Sequence, residues 1–177
     1  MNSFILNSIN RNTIFGLKFN IYSGYFADNV NWFNTATIYP GTSTSYGTNF
    51  STWQTATNNQ LGSTDNFSVQ WYGKIVTPPS SDGTWTFYTT SDDASYLWIG
   101  PTADTGYTTS NAVVNNGGTH ASRERSGNIT LTSNTEYNIR IQFGELGGGE
   151  VLSVSFLRPG GVKTILSLSS LTIYSIT

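Results

Sequence analysis

The chain has 177 residues, a formal net charge of −2 and no cysteine. Charged residues make up only 10% of it, far below the roughly 25% of an average globular protein, and aromatic residues reach 14%. This composition excludes disulfides and cysteine-based zinc sites, and it offers no basic patch for a nucleic-acid partner. It is typical of a single β-rich domain over residues 1–177, solvated by hydroxyl and amide groups rather than by ions.

Alternation of apolar and polar residues predicts strands rather than helices along the chain. The first strand is predicted over residues 16–25. Residues 41–66 are rich in Thr, Ser, Asn and Gly and are predicted to form a long loop, with Phe50 and Trp53 anchoring it to the core. The next strand is predicted over residues 67–76.

The stretch 83–100, GTWTFYTTSDDASYLWIG, predicts a strand, a tight polar turn and a second strand that form a central hairpin. Asp92 and Asp93 are adjacent at its turn. Two neighbouring carboxylates repel each other unless a cation or a set of donors lies between them. The pair therefore indicates either a solvated turn or a metal site, and the spacing alone leaves both open.

The second half of the chain continues the strand pattern after a turn-rich segment that contains His120. Residues 137–143 and 151–157 are predicted to be partner strands joined by the glycine-rich sequence GELGGGE, and residues 165–176 are predicted to form one last strand. Regularly spaced strands with turns between them predict an all-β fold, an antiparallel β-sandwich with little or no helix.

Four segments of the sequence carry a resemblance to a known family. They are GLKFNIYSGYFADNVNWFNTAT, FSVQWYGKI, the central GTWTFYTTSDDASYLWIG and YNIRIQFGELGGGEVLSVSFLRPGG. Together they cover roughly residues 15–160 and resemble, in the same order, the lectin-like β-sandwich domain named after anthrax protective antigen. That domain also occurs in yeast flocculins, fungal epithelial adhesins and some β-glucosidases. The resemblance implies the same fold and a carbohydrate-binding role.

The resemblance also implies a calcium site. In the sugar-binding members, a cis peptide bond joins two aspartates that hold one Ca²⁺, which binds the sugar hydroxyls directly. Asp92 and Asp93 match that pair. A second calcium loop in the family offers an Asn side chain and two backbone carbonyls, and by position these correspond to Glu145, Gly147 and Gly149. Glu145 departs from the pattern and would add a third carboxylate. The alternative interpretation of the glycines is a flexible connection that needs positive φ.

Aromatic side chains near the aspartates are candidates for sugar contact, because rings stack on the apolar faces of sugars. Tyr96 and Trp98 share one face of the strand that follows the aspartates, where they either line the site or pack against a second sheet. The predicted ligand-binding residues are Asp92, Asp93, Tyr96, Trp98 and Glu145. Trp32, Tyr46 and Trp53 are further candidates on loops, whereas Trp71 and Trp85 are expected to be buried.

Two functions follow as predictions. The first is a calcium-dependent carbohydrate-binding module, displayed on a particle or cell surface, with a glycan as its partner. The second is a structural or decoration protein of a virus particle, which would use the fold as a scaffold and contact neighbouring subunits. No enzyme is expected, because the sequence shows no nucleophile with a base and no carboxylate pair placed for catalysis.

The two ends of the chain bear on location and assembly. The first residues, MNSFILNSINRNTIF, do not have the pattern of a secretory signal peptide, and no apolar run approaches the ~20 residues of a membrane span. We therefore expect a virion or surface location without membrane insertion. Residues 1–14 and 162–177 are rich in β-formers and low in charge, so they are predicted to pair either with each other or with a neighbouring subunit.

Overall fold

The computed structural model describes residues 13–38, 45–47 and 65–176. Within them the chain forms twelve strands. In chain order these are β1 (Thr13–Phe15), β2 (Leu17–Ser23), β3 (Ser45–Gly47), β4 (Phe67–Val76), β5 (Gly83–Asp92), β6 (Ala94–Ile99), β7 (Val114–Asn116), β8 (Arg123–Leu131), β9 (Glu136–Glu145), β10 (Val151–Leu157), β11 (Thr164–Ile165) and β12 (Thr172–Ile176). Short 3₁₀ turns occur at Trp32–Asn34, Pro101–Ala103 and Thr109–Asn111.

The strands form two antiparallel sheets, which confirms the predicted β-sandwich. The larger sheet has the order β1-β12-β4-β9-β6-β7, and β2 also pairs with β4 and carries β3 on its other side. The smaller sheet has the order β11-β10-β5-β8. Among the residues that the structure describes, no helix has the length and apolar character needed to cross a membrane.

The main core lies between the sheets and follows from the alternation of side chains along each strand. Inward residues of β5, β9 and β10 are fully or almost fully buried, among them Trp85, Phe87, Phe143 and Phe156. The indole N–H of Trp85 donates to the Ser81 carbonyl at 2.8 Å, so its polar atom is satisfied. Burial of such a side chain stabilises the fold by about 1.5–3 kcal/mol. The predicted burial of Trp71 and Trp85 is confirmed.

A second core covers the outer face of the larger sheet over β6, next to the edge strand β7. Its buried members are Tyr22, Phe26, Val30, Phe33, Ala94, Tyr96, Trp98, Ala103 and Tyr107. The segment 24–38 lies across this face and is held by buried hydrogen bonds, such as Gln142 Nε2 to the Val30 carbonyl at 2.9 Å. Strand β6 is therefore buried on both of its faces.

Three strand connections differ from the predictions. Strands β5 and β6 do not form a hairpin, because β5 pairs with β10 and β8 in the smaller sheet while β6 pairs with β9 and β7 in the larger one. Strands β9 and β10 also lie in different sheets and are not partners. The last predicted strand is interrupted by a turn at residues 167–170, which separates β11 from β12.

The two ends of the described chain pair with each other. Strand β1 runs antiparallel to β12, with Thr13 opposite Ile176 and Phe15 opposite Tyr174. This confirms the first of the two predicted outcomes for the tails, as far as residues 13–15 are concerned. The rest of the N-terminal tail, the predicted anchors Phe50 and Trp53, and the side chain of Tyr46 lie outside the described residues.

Candidate functional site

The candidate site lies at one end of the sandwich, where two of the crossings between the sheets carry or adjoin the acidic residues. The first crossing leads from β5 to β6 through Asp93, and the second leads from β9 to β10 through residues 146–150. Strand register places the crossings side by side, because Asp92 is opposite Val151 in the smaller sheet and Ala94 is opposite Gly144 in the larger one. Residues that are more than 50 positions apart in the sequence therefore meet at one end of the sandwich.

Three carboxylates converge at this end. Asp92, Asp93 and Glu145 each place one oxygen within 4.8 Å of the other two. Asp93 and Glu145 are buried, with 5% and 0% of their surface exposed, while Asp92 is half-buried. The peptide bond between Asp92 and Asp93 is cis, as the family resemblance implied. The structure thus brings together the three side chains that sequence reasoning selected for a metal site.

Backbone N–H groups hold the two aspartates in place. Asp93 accepts hydrogen bonds from the His120 N–H at Oδ1 (2.7 Å) and from the Leu146 N–H at Oδ2 (3.0 Å). Asp92 Oδ2 accepts one from the Ser122 N–H at 3.0 Å. The loop 117–122 was not predicted to belong to the site, because its contribution comes from the backbone and leaves no side-chain signature in the sequence.

Glu145 lacks such partners. Both of its carboxylate oxygens are buried and neither accepts a hydrogen bond of ordinary geometry, although the Gly147 backbone N–H acts on the carboxylate and lowers its pKa in part. Burial, together with the nearby charges of Asp93 and Asp92, raises the pKa of Glu145 from 4.5 to about 7. A buried carboxylate without a partner is costly, so this side chain is arranged for a cation or a proton rather than for the protein's own donors.

Tyr25 approaches the cluster from the loop that follows β2. Its hydroxyl oxygen is buried without a hydrogen-bond partner. Burial raises the pKa of Tyr25, and the neighbouring charges of Asp28, Asp93 and Glu145 raise it further. The phenol is therefore neutral and close to the carboxylates, although sequence reasoning did not select it.

Asp28 connects the segment 24–38, which carries Tyr25, to the loop 117–122. Its Oδ1 atom accepts hydrogen bonds from the Tyr96 hydroxyl at 2.9 Å and from the Gly118 N–H at 3.0 Å. Asp28 has a φ of +60°, in the left-handed region that Asp tolerates better than most residues. The Tyr96 hydroxyl is thus used to connect two loops at the rim of the site.

Asn116 and Arg123 fix the two ends of the loop 117–122. The side-chain oxygen of Asn116 accepts from Arg123 Nε at 2.8 Å, and its Nδ2 donates to Ser91 Oγ at 2.9 Å. Arg123 Nη2 donates to the Gly117 carbonyl at 2.7 Å. Because Asn116 is completely buried, these bonds are shielded from water and hold the loop that supplies the N–H groups of His120 and Ser122.

The glycine-rich connection forms an exposed lip beside the carboxylates. Gly147 and Gly149 are exposed, and the Gly148 N–H donates to Asp65 Oδ1 at 3.1 Å. Gly148 has a φ of +116°, so one of the three glycines does need positive φ. The proposed calcium coordination by the carbonyls of Gly147 and Gly149 stays a prediction.

The aromatic candidates are buried rather than open to a ligand. Trp98 has no exposed surface, and its indole N–H donates to the Thr108 carbonyl and to Asn111 Oδ1, both at 3.0 Å. Tyr96 is 3% exposed and stacks on Trp98, with ring centroids 5.7 Å apart. Both rings belong to the second core, so the expected contact of these rings with a sugar has no support in this arrangement. Trp32 is half-buried against Tyr22.

The donor set fits a calcium ion. Calcium prefers six to eight hard oxygen ligands, and carboxylates are its usual charged partners in proteins. The three carboxylates present such oxygens to one point, and the two unsatisfied oxygens of Glu145 are the clearest observation in favour of a cation there. An ion between them would also offset the mutual repulsion of Asp92, Asp93 and Glu145.

Comparison with known families gives one match. The GLEYA domain family model matches residues 67–158, which is just over half of the chain. The matched part runs from β4 to the end of β10 and includes both crossings and all three carboxylates. No curated protein matches the chain.

Solved structures share the fold at low sequence identity. The A domain of epithelial adhesin 6 from Candida glabrata, in complex with Galβ1-3GlcNAc, has a TM-score of 0.65 and 16% identity over 92% of this chain and 87% of that one. The PA14 sugar-binding domain of an RTX adhesin has a TM-score of 0.64 and 18% identity, over 90% and 98% of the two chains.

An anti-sigma factor domain-containing protein is similar too, with a TM-score of 0.62 and 20% identity over 93% of this chain. The chain spans about half of that protein's length, 49%. At these identities the likeness concerns the fold alone.

Proposed function

Because this chain belongs to the GLEYA domain family, we propose that it is a calcium-dependent carbohydrate-binding module of the adhesin type, displayed on a particle or cell surface. It acts by binding rather than by catalysis. One solved domain of the same fold is in complex with the disaccharide Galβ1-3GlcNAc and another is a PA14 sugar-binding domain, and this supports the choice of ligand class.

The observation that carries the proposal is the buried, unsatisfied carboxylate of Glu145 beside Asp92 and Asp93. Three acidic groups this close are hard to explain as a structural feature, because each raises the cost of ionising the others. A divalent cation removes that cost, and the hydrogen bonds from His120, Leu146 and Ser122 hold the aspartates in position for it.

The roles of the residues follow from their positions. Asp92, Asp93 and Glu145 would hold the ion, and the exposed carbonyls of Gly147 and Gly149 are further proposed ligands. A bound calcium ion supplies positive charge and coordination positions for sugar hydroxyl oxygens. The loop 117–122 and the glycine-rich lip both adjoin the carboxylates, through the N–H groups of His120, Ser122 and Leu146, and would contact the rest of the sugar.

Calcium titration by calorimetry on chelator-treated protein, followed by a glycan array with and without calcium, tests the proposal. We expect one calcium ion per chain and glycan binding that disappears with chelator. The double variant Asp92→Ala with Asp93→Ala should lose both. Asp82→Asn is the control, because Asp82 lies at the opposite end of β5 and its side-chain hydrogen bonds within the described residues come from Ser133.

The outcomes separate the two functions predicted from the sequence. Calcium and glycan binding that survive the double substitution would refute this site. Calcium binding without any glycan on the array would favour the second function, a structural or decoration protein in which the ion only stabilises the scaffold.

A further inference from the structure

A polar cavity lies on the outer face of the larger sheet, away from the carboxylate cluster. It has a volume of about 220 Å³, and its polar lining comes from Lys18, Tyr72, Lys74, Asp104, Asn138 and Arg140. Arg140 precedes Glu145 by five residues on β9, a distance of about 17 Å along the strand. The cavity is therefore separate from the carboxylates and does not depend on the function proposed for them.

The cavity concentrates the few cations of this chain. Of its 8 Lys and Arg residues, three line this one cavity, in a protein in which only 10% of residues are charged. Lys74 is neutralised by a salt bridge to Glu136. Lys18 has no ion-pair partner among the described residues.

Arg140 is the second cation of the cavity that has no salt bridge among the described residues. Its Nε donates to the Ala103 carbonyl at 2.7 Å and its Nη2 to the Asp104 carbonyl at 3.4 Å, so in the described part of the chain its hydrogen-bond partners are neutral backbone atoms. Burial lowers the pKa of Arg140, while the nearby Asp104 carboxylate offsets part of this effect. The guanidinium also lies over the Tyr107 ring, 4.4 Å from its centre. A half-buried guanidinium whose described partners are carbonyls and aromatic rings has no salt bridge, so it can accept an added anion.

The Tyr72 ring contacts both cations from the strand between them, because Lys18 is opposite Tyr72 on β2 and Arg140 is opposite Tyr72 on β9. Lys18 Nζ and Arg140 Cζ each lie 5.6 Å from the centre of its ring. Cation–π attraction of about 0.5–1 kcal/mol positions each charge but does not neutralise it. Two cations that flank one ring and line the same cavity favour a negatively charged group in it.

We propose that this cavity binds an oxyanion, a carboxylate or sulfate group of a small ligand, between Lys18 and Arg140. Such a group could arrive as a free anion or as the acidic substituent of a sugar. Both present planar or tetrahedral oxygens to the same two cations, so the chemistry of recognition is shared and the probes must distinguish the sources.

The test is a titration followed by amide chemical shifts in NMR spectra, at low ionic strength and both with and without a calcium chelator. The probes are sodium sulfate, sodium glucuronate and neutral glucose. We expect saturable shifts at the amides around Tyr72 and Arg140 with at least one anionic probe and none with glucose. Tighter binding of glucuronate than of sulfate would indicate an anion carried by a sugar, and equal or tighter binding of sulfate would indicate a free anion.

Variants of Lys18 test whether the anionic probes bind in this cavity. Lys18→Gln should weaken the binding about fivefold or more, because a hydrogen bond to a charged group is lost, and Lys18→Glu should abolish it. Lys163→Gln is the matched control. Lys163 also lies over a tyrosine, 4.2 Å from the centre of the Tyr88 ring, but it pairs with Glu124 on the smaller sheet.

Thermal unfolding of each variant confirms that it is folded before its binding is compared. Absence of saturable shifts with both anions would overturn the proposal. So would binding that Lys18→Gln leaves unchanged, or shifts confined to the amides around Asp92 and His120.

Discussion

Asp93 accepts a hydrogen bond of 3.0 Å at Oδ2 from the backbone N–H of Leu146. This bond joins the two crossings at the candidate site, because Asp93 lies in the first and Leu146 begins the second. It also orients the residue before Leu146, whose carboxylate completes the acidic cluster. The site is therefore built by the register of four strands, and changes that alter this register should be visible in metal binding.

Replacing Glu145 by glutamine should stabilise the metal-free protein at high pH. The pKa of Glu145 is raised in the folded state from 4.5 to about 7, so ionisation disfavours folding. The wild-type chain should lose stability as the pH rises from about 4.5 through 7, and the loss is at most about 3 kcal/mol. The Glu145→Gln variant removes this loss, so in chelator its melting temperature should exceed that of the wild type at pH 8 and equal it at pH 4.

Other ionisable groups face Glu145, namely Asp92, Asp93, Glu150 and Tyr25. They remain in both proteins, so the difference between variant and wild type isolates residue 145. Saturating calcium should reverse the order at pH 8, because the wild type retains its third carboxylate. A variant that is less stable than the wild type in chelator at pH 8 would contradict this account.

Replacing Asn116 by alanine should weaken calcium binding although Asn116 is not itself a proposed ligand. The substitution leaves Arg123 Nε and Ser91 Oγ without their buried partner, at a cost of about 1–3 kcal/mol, and it releases the loop 117–122. Loss of such a supporting contact typically lowers metal affinity by about tenfold or more.

Calorimetry measures the loss of calcium affinity, and thermal unfolding measures the loss of stability. Asn128→Ala is the matched control, since Asn128 is exposed on β8 and its side chain bonds only to Thr86 Oγ1 among the described residues. Equal calcium affinity in the Asn116 and Asn128 variants would show that the loop does not position the aspartates.

The sequence predicted individual strands better than their partners. Alternation of apolar and polar residues gave the bounds of β4 and β10 correctly, although β4 is buried on both faces along its first half. Alternation does not tell which strand lies alongside, and so the stretch 83–100 looked like a hairpin although its halves lie in different sheets.

In the candidate site, too, individual side chains were predicted but their neighbours in space were not. Asp92 and Asp93 could be identified from the sequence because they are adjacent carboxylates between two predicted strands, and Glu145 was identified through the family resemblance. The donors that hold them are backbone N–H groups, for which any residue would serve. The burial of Tyr96 and Trp98 could not be foreseen, because it depends on the irregular segment 24–38 that covers the outer face of β6.

Replacing Gly144 by alanine should disturb the loop that carries Tyr25. An added Cβ would lie 2.5 Å from Phe26 Cδ1 and 2.9 Å from Tyr25 Cδ2, closer than carbon atoms can approach. Displacing these rings should cost about 1–3 kcal/mol of stability. Gly147→Ala is the control. Gly147 lies three residues further on in the exposed lip, and a Cβ there would meet nothing within 4 Å. Thermal unfolding of both variants checks the prediction, and equal melting temperatures would contradict it.

Deleting residues 172–177 should destabilise the monomer, because β12 closes the larger sheet. Ile173, Tyr174 and Ser175 are buried, and the Ser175 hydroxyl accepts from the Lys18 N–H at 2.9 Å and donates to the Gly16 carbonyl at 2.7 Å. Loss of the two apolar side chains alone removes about 3–6 kcal/mol of burial. We expect a much lower melting temperature in dilute protein and an unchanged oligomeric state by light scattering.

Point variants separate packing from pairing at the same strand. Ile173→Ala should cost about 2–5 kcal/mol, whereas Thr172→Ala, on the exposed side of β12, should cost less than about 1 kcal/mol. If β12 instead served to join neighbouring subunits, the shortened protein would melt normally and fail to assemble. That result would overturn the intramolecular pairing of β1 with β12, since a strand that closes its own sheet cannot be removed without loss of stability.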